Sequence, residues 1–272
     1  MIRKIIKLLI LCRKIFIKNL IIFLYRVKLL PKDFHRRAKL ELNLNKYKKY
    51  FNKLKLSYNN LGFYFVDPLP DREYLKRYYE ETYWESRFDT DYPVRNRDMS
   101  HYELLCKSYQ DFNFSKKRIL NFGSGHGGIS FLLALKNHEI NNFDFQLKQI
   151  KFEKNLKSFN NMDQINGAFD LIYSSHSLEH VDNIFNTIKK FQSISHENTI
   201  FFFEVPNCSS KKFQKIHCPH TYYFTKLFFQ NCFKKIDFCK FYSGEREVNN
   251  ENESNILRIL TKGRLILPKE KN

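Results

Sequence analysis

Four of the chain's eight glycines fall within six consecutive positions, in the text Asn121-Phe122-Gly123-Ser124-Gly125-His126-Gly127-Gly128. Glycine concentrates where the backbone must turn at positive φ or where another group must come close to main-chain atoms. The cluster follows a short apolar run, Arg118–Phe122, and opens a segment of helical periodicity at 127–137. A strand feeding a glycine-rich turn and then a helix is the entry to a ligand-binding βαβ unit. Gly123, Gly125 and Gly128 also meet the Gly-x-Gly-x-x-Gly spacing. A turn without a ligand would not need so much of the chain's glycine.

From there the text alternates. Strand-like runs at 140–145, 169–174 and 199–205 are separated by helical patterns at 146–158 and 182–195, and a further helix is expected at 223–232. Such alternation predicts a Rossmann-like, doubly wound α/β fold with a mostly parallel sheet. Strand-like runs at 236–242 and 255–260 close the pattern, and the ten residues Gly244–Glu253 between them are too few for a helical crossover. They are expected to form an antiparallel edge hairpin.

The N-terminal part has another character. Residues 1–60 hold 17 Lys and Arg against Asp33 and Glu41, so most of the formal net charge of +19 resides there. Residues 1–30 place Arg3, Lys7, Lys14 and Lys18 on one side of a helical wheel and Ile5, Leu9, Phe16 and Phe23 on the other. That pattern predicts a helix lying on an anionic membrane surface; no apolar run approaches the length of a spanning helix. Residues 31–60 are expected to form a basic helical linker, with Tyr47, Tyr50, Phe51, Leu54 and Tyr58 as one apolar stripe. Basic residues interleaved with aromatics also occur on RNA-binding surfaces, but the helical spacing favours packing, and no nucleic-acid partner is expected. Residues 61–110, with a strand, a turn at Asp67-Pro68, a helix from Asp71 and the aromatics Tyr78, Tyr79, Tyr83 and Trp84, are expected to cap the main domain at 111–262, with a basic tail at 263–272. The six cysteines are scattered without a Cys-x-x-Cys pair, which fits reduced thiols in a cytoplasmic setting.

The chemistry-bearing residues follow. Asp144 ends the second strand 21 residues beyond Gly123, where a carboxylate can accept both hydroxyls of a ribose. Further on, the text reads Phe169-Asp170-Leu171-Ile172 and then Leu178-Glu179-His180-Val181, Val205-Pro206-Asn207, and His217-Cys218-Pro219-His220-Thr221-Tyr222-Tyr223-Phe224. Together with the glycine loop, this series resembles the class I S-adenosylmethionine-dependent methyltransferases, in the order found among members that act in sugar and glycan biosynthesis. The resemblance covers roughly residues 62–262.

It implies S-adenosylmethionine as cofactor, held by Asn121, Gly123, Ser124, Gly125, Gly127, Asp144 and Ser174. It also implies a sugar, nucleotide sugar or lipid-linked glycan as acceptor. Asn121 departs from the family, whose first strand usually ends in Asp or Glu; the amide accepts hydrogen bonds without the charge. This leaves a second reading open, a membrane-tethered binding or scaffolding protein on a degenerate methyltransferase fold. For catalysis, His176 at the carboxyl edge of the sheet and His220 are the candidates, with His180 expected to be structural. No metal is expected, because His217 and His220 lack a nearby carboxylate in the sequence.

Overall fold

The computed structural model describes residues 32–83, 94–110, 115–145, 156–209 and 216–268. The segments 1–30 and 269–272, Trp84, and most of the helix expected at 146–158 lie outside them.

Helix α1 (Lys32–Phe51) carries Tyr47 and Phe51 into full burial. Tyr47 meets Tyr74 and Tyr78 edge-on at 5.2 and 5.1 Å, and its hydroxyl donates to Glu81 Oε2 at 2.9 Å. The aromatic stripe is thus used for packing. The helical expectation for 31–60 is corrected beyond Phe51, where β1 (Lys55–Asn59) pairs antiparallel with β2 (Phe63–Asp67). The turn decides it. Asn59 accepts from the backbone of both Leu61 and Gly62, and Gly62 sits at φ +95°, so the chain reverses where the aromatic spacing alone would have continued. Tyr58, taken as part of the stripe, is half exposed on β1. The helix expected from Asp71 is α2 (Arg72–Tyr78), capped by the Asp71 carboxylate accepting from Tyr74 N at 2.6 Å. It runs on into a π-turn at Tyr79–Tyr83.

Helix α3 (Asn96–Ser108) buries Leu105 against Ile119, Ile129 and Leu133. It therefore packs with the main domain, although the sequence grouped it with the cap. The main sheet then forms from β3 (Arg118–Phe122), β4 (Glu139–Phe143), β5 (Leu156–Phe159), β6 (Phe169–Ser175) and β7 (Ser195–Pro206), all parallel. Helices α4 (Gly128–Ala134) and α5 (Ile184–Ser193) lie between them in sequence. The helix expected at 223–232 begins with a strand instead: β8 (Tyr222–Phe224) pairs with β2, and α6 is confined to Lys226–Cys232. Backbone donors of an apolar three-residue run facing the open edge of β2 are better satisfied as a ladder than as a first helical turn. The cap sheet, ordered β1-β2-β8, thus takes one strand from the main domain.

The chain ends with β9 (Phe238–Ser243), β10 (Arg246–Val248) and β11 (Ile256–Lys262), giving the order β10-β9-β11-β7-β6-β3-β4-β5. The expected hairpin is the antiparallel pair β9–β11. Its second strand is inserted beside β7, also antiparallel.

Both faces of the sheet are covered, which explains the unbroken apolar text of β7. Phe201, Phe203 and Val205 join one core with Phe122, Ile172 and Phe191, while Ile200 and Phe202 join the other with Leu171, Tyr173 and Leu260. No helix among the described residues is long and apolar enough to cross a membrane.

Candidate functional site

A cleft opens at the carboxyl ends of β3, β4 and β6. That is the edge where open parallel sheets bind ligands. One side is made almost entirely of backbone. After β3 the chain turns through Gly123, Gly125 and Gly127 at φ +73°, +53° and +75°. The N–H groups of Gly123 and Ser124 donate to Phe143 O at 2.7 and 2.9 Å, binding the loop to the end of β4. Asp144, the next residue, accepts from Gly125 N at 2.9 Å.

The glycines are not equivalent. A Cβ on Gly123 would stand 1.9 Å from Ser177 Oγ, so this position is fixed by packing. A Cβ on Gly125, which lines the cleft, would meet nothing within 4 Å. Asn121 lies beneath, 1% exposed, with its amide donating to Ser130 Oγ at 2.7 Å; Ser130 in turn donates to Asn142 Oδ1 at 2.6 Å.

The facing wall is made of charged and aromatic side chains. Arg95, Arg97 and Asp98 enter from the start of α3, and Tyr79 from the cap, where it stacks on Phe145 at 6.0 Å. Tyr173, Ser175, His176, Ser177 and His180 come from β6 and the turn after it. Behind them stands Glu204 of β7, fully buried. It accepts from Arg258 Nη2 at 2.7 Å, from His101 at 2.9 Å and from Ser175 Oγ at 3.1 Å. Arg258 is the register partner of Glu204 across β11 and β7. Burial would raise the Glu204 carboxyl, but His101, His176 and Arg258 outweigh it and hold the group far below the usual carboxylate range. The other ring nitrogen of His101 meets Tyr173 Oη at 2.7 Å, and burial pushes that imidazole down despite Glu204.

His176 lines the cleft at φ +52°, a left-handed conformation that a non-glycine residue adopts at a cost. Its ring lies 3.4 Å from both Glu179 and Glu204. Burial alone would lower it, but the two carboxylates hold it up. A ring that keeps its proton at neutral pH donates rather than removes a proton, which argues against the role of general base. His220 does not line the cleft. It sits behind His180, ring centroids 4.7 Å apart, and burial pushes it down to about 3. The expectation that no carboxylate lies near His220 is corrected: the turn Leu178–His180 brings Glu179 beside it, by a contact 41 residues distant in sequence that the sequence could not display.

Of the predicted cofactor residues, Asn121, Gly123, Ser124, Gly125, Gly127 and Asp144 converge on the cleft. Ser174 points away from it, buried, with its hydroxyl making no hydrogen bond. Arg95, Arg97, His101, Tyr173 and Arg258 also belong to the site or its support, and no motif in the sequence marks them. Two signals were available: a lone glutamate inside the apolar text of β7, and Arg97, His101 and Leu105 at a four-residue spacing along one face of α3.

No curated protein sequence matches the chain. Among solved structures, the fold is similar to that of 1,6-didemethyltoxoflavin-N1-methyltransferase of Burkholderia thailandensis, solved with bound 1,6-didemethyltoxoflavin and S-adenosylhomocysteine. The TM-score is 0.52 at 14% identity, over 77% of this chain and 99% of that one. The N-methyltransferase NodS of Bradyrhizobium japonicum WM9, solved with S-adenosylhomocysteine, matches at TM-score 0.46 and 12% identity, over 66% of this chain and 95% of that one. A family model described as a methyltransferase domain matches residues 95–240, from the first cleft arginine into β9, which is more than half of the chain. The chain belongs to the methyltransferase-domain family.

Proposed function

We propose that the cleft binds S-adenosylmethionine and passes its methyl group to a small-molecule acceptor. The leading class is a sugar, nucleotide sugar or lipid-linked glycan reached from the cytoplasmic face of a membrane. The observation that carries the cofactor reading is the pairing of Gly125, whose missing side chain leaves open cleft, with the Asp144 carboxylate one hydrogen bond away. S-adenosylmethionine supplies a sulfonium-activated methyl. Its ribose hydroxyls suit a carboxylate acceptor such as Asp144. The Arg95 and Arg97 guanidiniums offer charge to its methionine carboxylate. Asn121 faces the same end with a neutral amide.

On the acceptor side Tyr79, Tyr173 and His176 line the cleft and can exclude water from a bound acceptor; the Tyr173 hydroxyl is already held by His101, and the His176 ring by Glu179 and Glu204. The rate would come mainly from alignment of acceptor, methyl and sulfur, because positioning alone can supply much of such a barrier. The glycan class rests on the Val205-Pro206-Asn207 and His217–Phe224 text, and the membrane on the basic amphipathic pattern of residues 1–30.

The test is transfer of labelled methyl from S-adenosylmethionine to nucleotide sugars and to a lipid extract, with flotation of the chain on neutral and anionic liposomes. Label in a sugar-bearing product and flotation on anionic liposomes are expected. Label confined to non-sugar acceptors would overturn the glycan class, and equal soluble partitioning of the full chain and a chain lacking residues 1–30 would overturn the membrane reading. A second reading, a non-catalytic binding protein, is favoured by Asn121 alone; it predicts cofactor-free protein and no labelled product.

A further inference from the structure

We propose that Glu179, His180 and His220 form a binding site for one divalent transition-metal cation behind the wall of the cleft. The site lies apart from the glycine loop, and it stands whether or not the chain transfers methyl groups.

The first support is the donor set. One carboxylate and two imidazoles, each offering one ligand atom, bring those atoms within 4.8 Å of one another. Two nitrogens and one oxygen suit zinc, cobalt, manganese or iron, and suit the oxygen-seeking magnesium and calcium poorly. A tetrahedral ion with ligands at about 2.1 Å holds them roughly 3.4 Å apart, so rotation of the side chains inward by about an ångström would close the set.

The second support is a buried charge that the fold leaves uncompensated by hydrogen bonds. Glu179 is 1% exposed, and neither of its oxygens accepts a hydrogen bond. Its nearest polar neighbours are imidazole nitrogens, His176 Nδ1 at 3.4 Å and His180 Nε2 at 3.7 Å. The Nδ1 of His220 is likewise buried with no hydrogen bond. His176 balances part of that charge, and a coordinated cation would give both oxygens the hydrogen-bond-strength partner they lack.

The third support is positioning. The two ligand segments are tied by their backbones: Thr221 N donates to Glu179 O at 2.7 Å, and Thr221 Oγ1 donates to Glu179 O and Val181 O at 3.0 and 2.7 Å. His220 is therefore held beside the Leu178–His180 turn by bonds that do not involve its ring. His180 also lines the cleft, so an ion here would sit one residue from whatever the cleft holds.

The experiment uses the full chain, stripped with a chelator and titrated with Co²⁺, read by visible absorption, and with Zn²⁺, read by calorimetry. One equivalent of Co²⁺ with visible bands, displaced by Zn²⁺, is expected. His220→Ala and Glu179→Gln should each weaken Zn²⁺ binding by about 100-fold or more. His196→Ala, on a histidine paired with Asp170 outside the cluster, should leave it unchanged. Circular dichroism checks that the variants fold. As a measurement free of the variants, Zn²⁺ should raise the unfolding midpoint of the wild-type chain. No stoichiometric binding by the wild type, or affinities within threefold in folded His220→Ala and Glu179→Gln, would overturn the site; the Glu179 charge is then balanced by the histidines alone.

Discussion

The two walls of the cleft are built on different principles. The β3–β4 wall is a contiguous stretch of chain in which glycines expose the backbone, and Asp144 is its one charged side chain. The β6–β7 wall is assembled from α3, β6, the turn after it, β7 and β11, and its centre is a buried carboxylate shared by Arg258, His101 and Ser175. The first wall shapes a space for a ligand at little cost to stability. The second depends on every partner being present, since a buried charge is tolerable only while it is paired. Ligand recognition should therefore be separable from stability on one wall and inseparable on the other.

The largest effect is expected of Arg258→Ala. It leaves Glu204 buried with one cation fewer, and it removes a guanidinium that also stacks on Tyr242 at 4.1 Å. A stability loss of about 3–5 kcal/mol is expected in denaturant unfolding. A loss below about 1 kcal/mol, the range of exposed pairs, would mean the network is better hydrated than its burial implies.

Within the glycine wall, Gly123→Ala and Gly125→Ala should part company. The first drives a methyl into Ser177 at positive φ and should cost roughly 2–4 kcal/mol, while the second carries only the left-handed penalty of about 1–2 kcal/mol. Equal losses for the two would erase the distinction between a packing glycine and a ligand-facing one.

Asp144→Ala sharpens the same wall from the binding side. S-adenosylmethionine affinity should fall by about 1.5–3 kcal/mol, with helix content unchanged, as read by calorimetry and circular dichroism. Wild-type affinity would reduce the carboxylate to a brace for Gly125.

The smallest effect is on pH. The Glu204 carboxyl is depressed in the folded chain, so its contribution to stability is fully present above the unfolded value of about 4.3. As the pH drops below that, the unfolded chain takes up a proton that the folded chain refuses. Stability should decline by up to about 1.4 kcal/mol per pH unit from this group. Glu204→Gln should flatten that slope in acid unfolding curves, whereas Asp144→Ala should leave it steep.

How much of this was legible follows from the same contrast. The glycine wall could be read because its residues are neighbours in sequence, and because positive φ and close approach select glycine. The parallel sheet could be read from alternation, and the antiparallel β9–β11 pair from a connection too short for a helix. The network of the other wall could not, since His101 and Glu204 meet across 103 residues and Glu179 meets His220 only because Thr221 locks two turns together. Strand β2 could be read, but β1 could not, because its aromatic spacing also fits a helix and only the Asn59–Gly62 turn decides between the two.

Whether the glycine wall holds S-adenosylmethionine is read most plainly by calorimetric titration of the full chain and of Gly125→Val with that ligand. A valine at this position would place its side chain in open cleft, where a Cβ meets no atom within 4 Å. One equivalent bound by the wild type and none by a folded Gly125→Val is the expected result. Equal binding by both, or no binding by the wild type, would mean that the glycine wall does not hold this ligand.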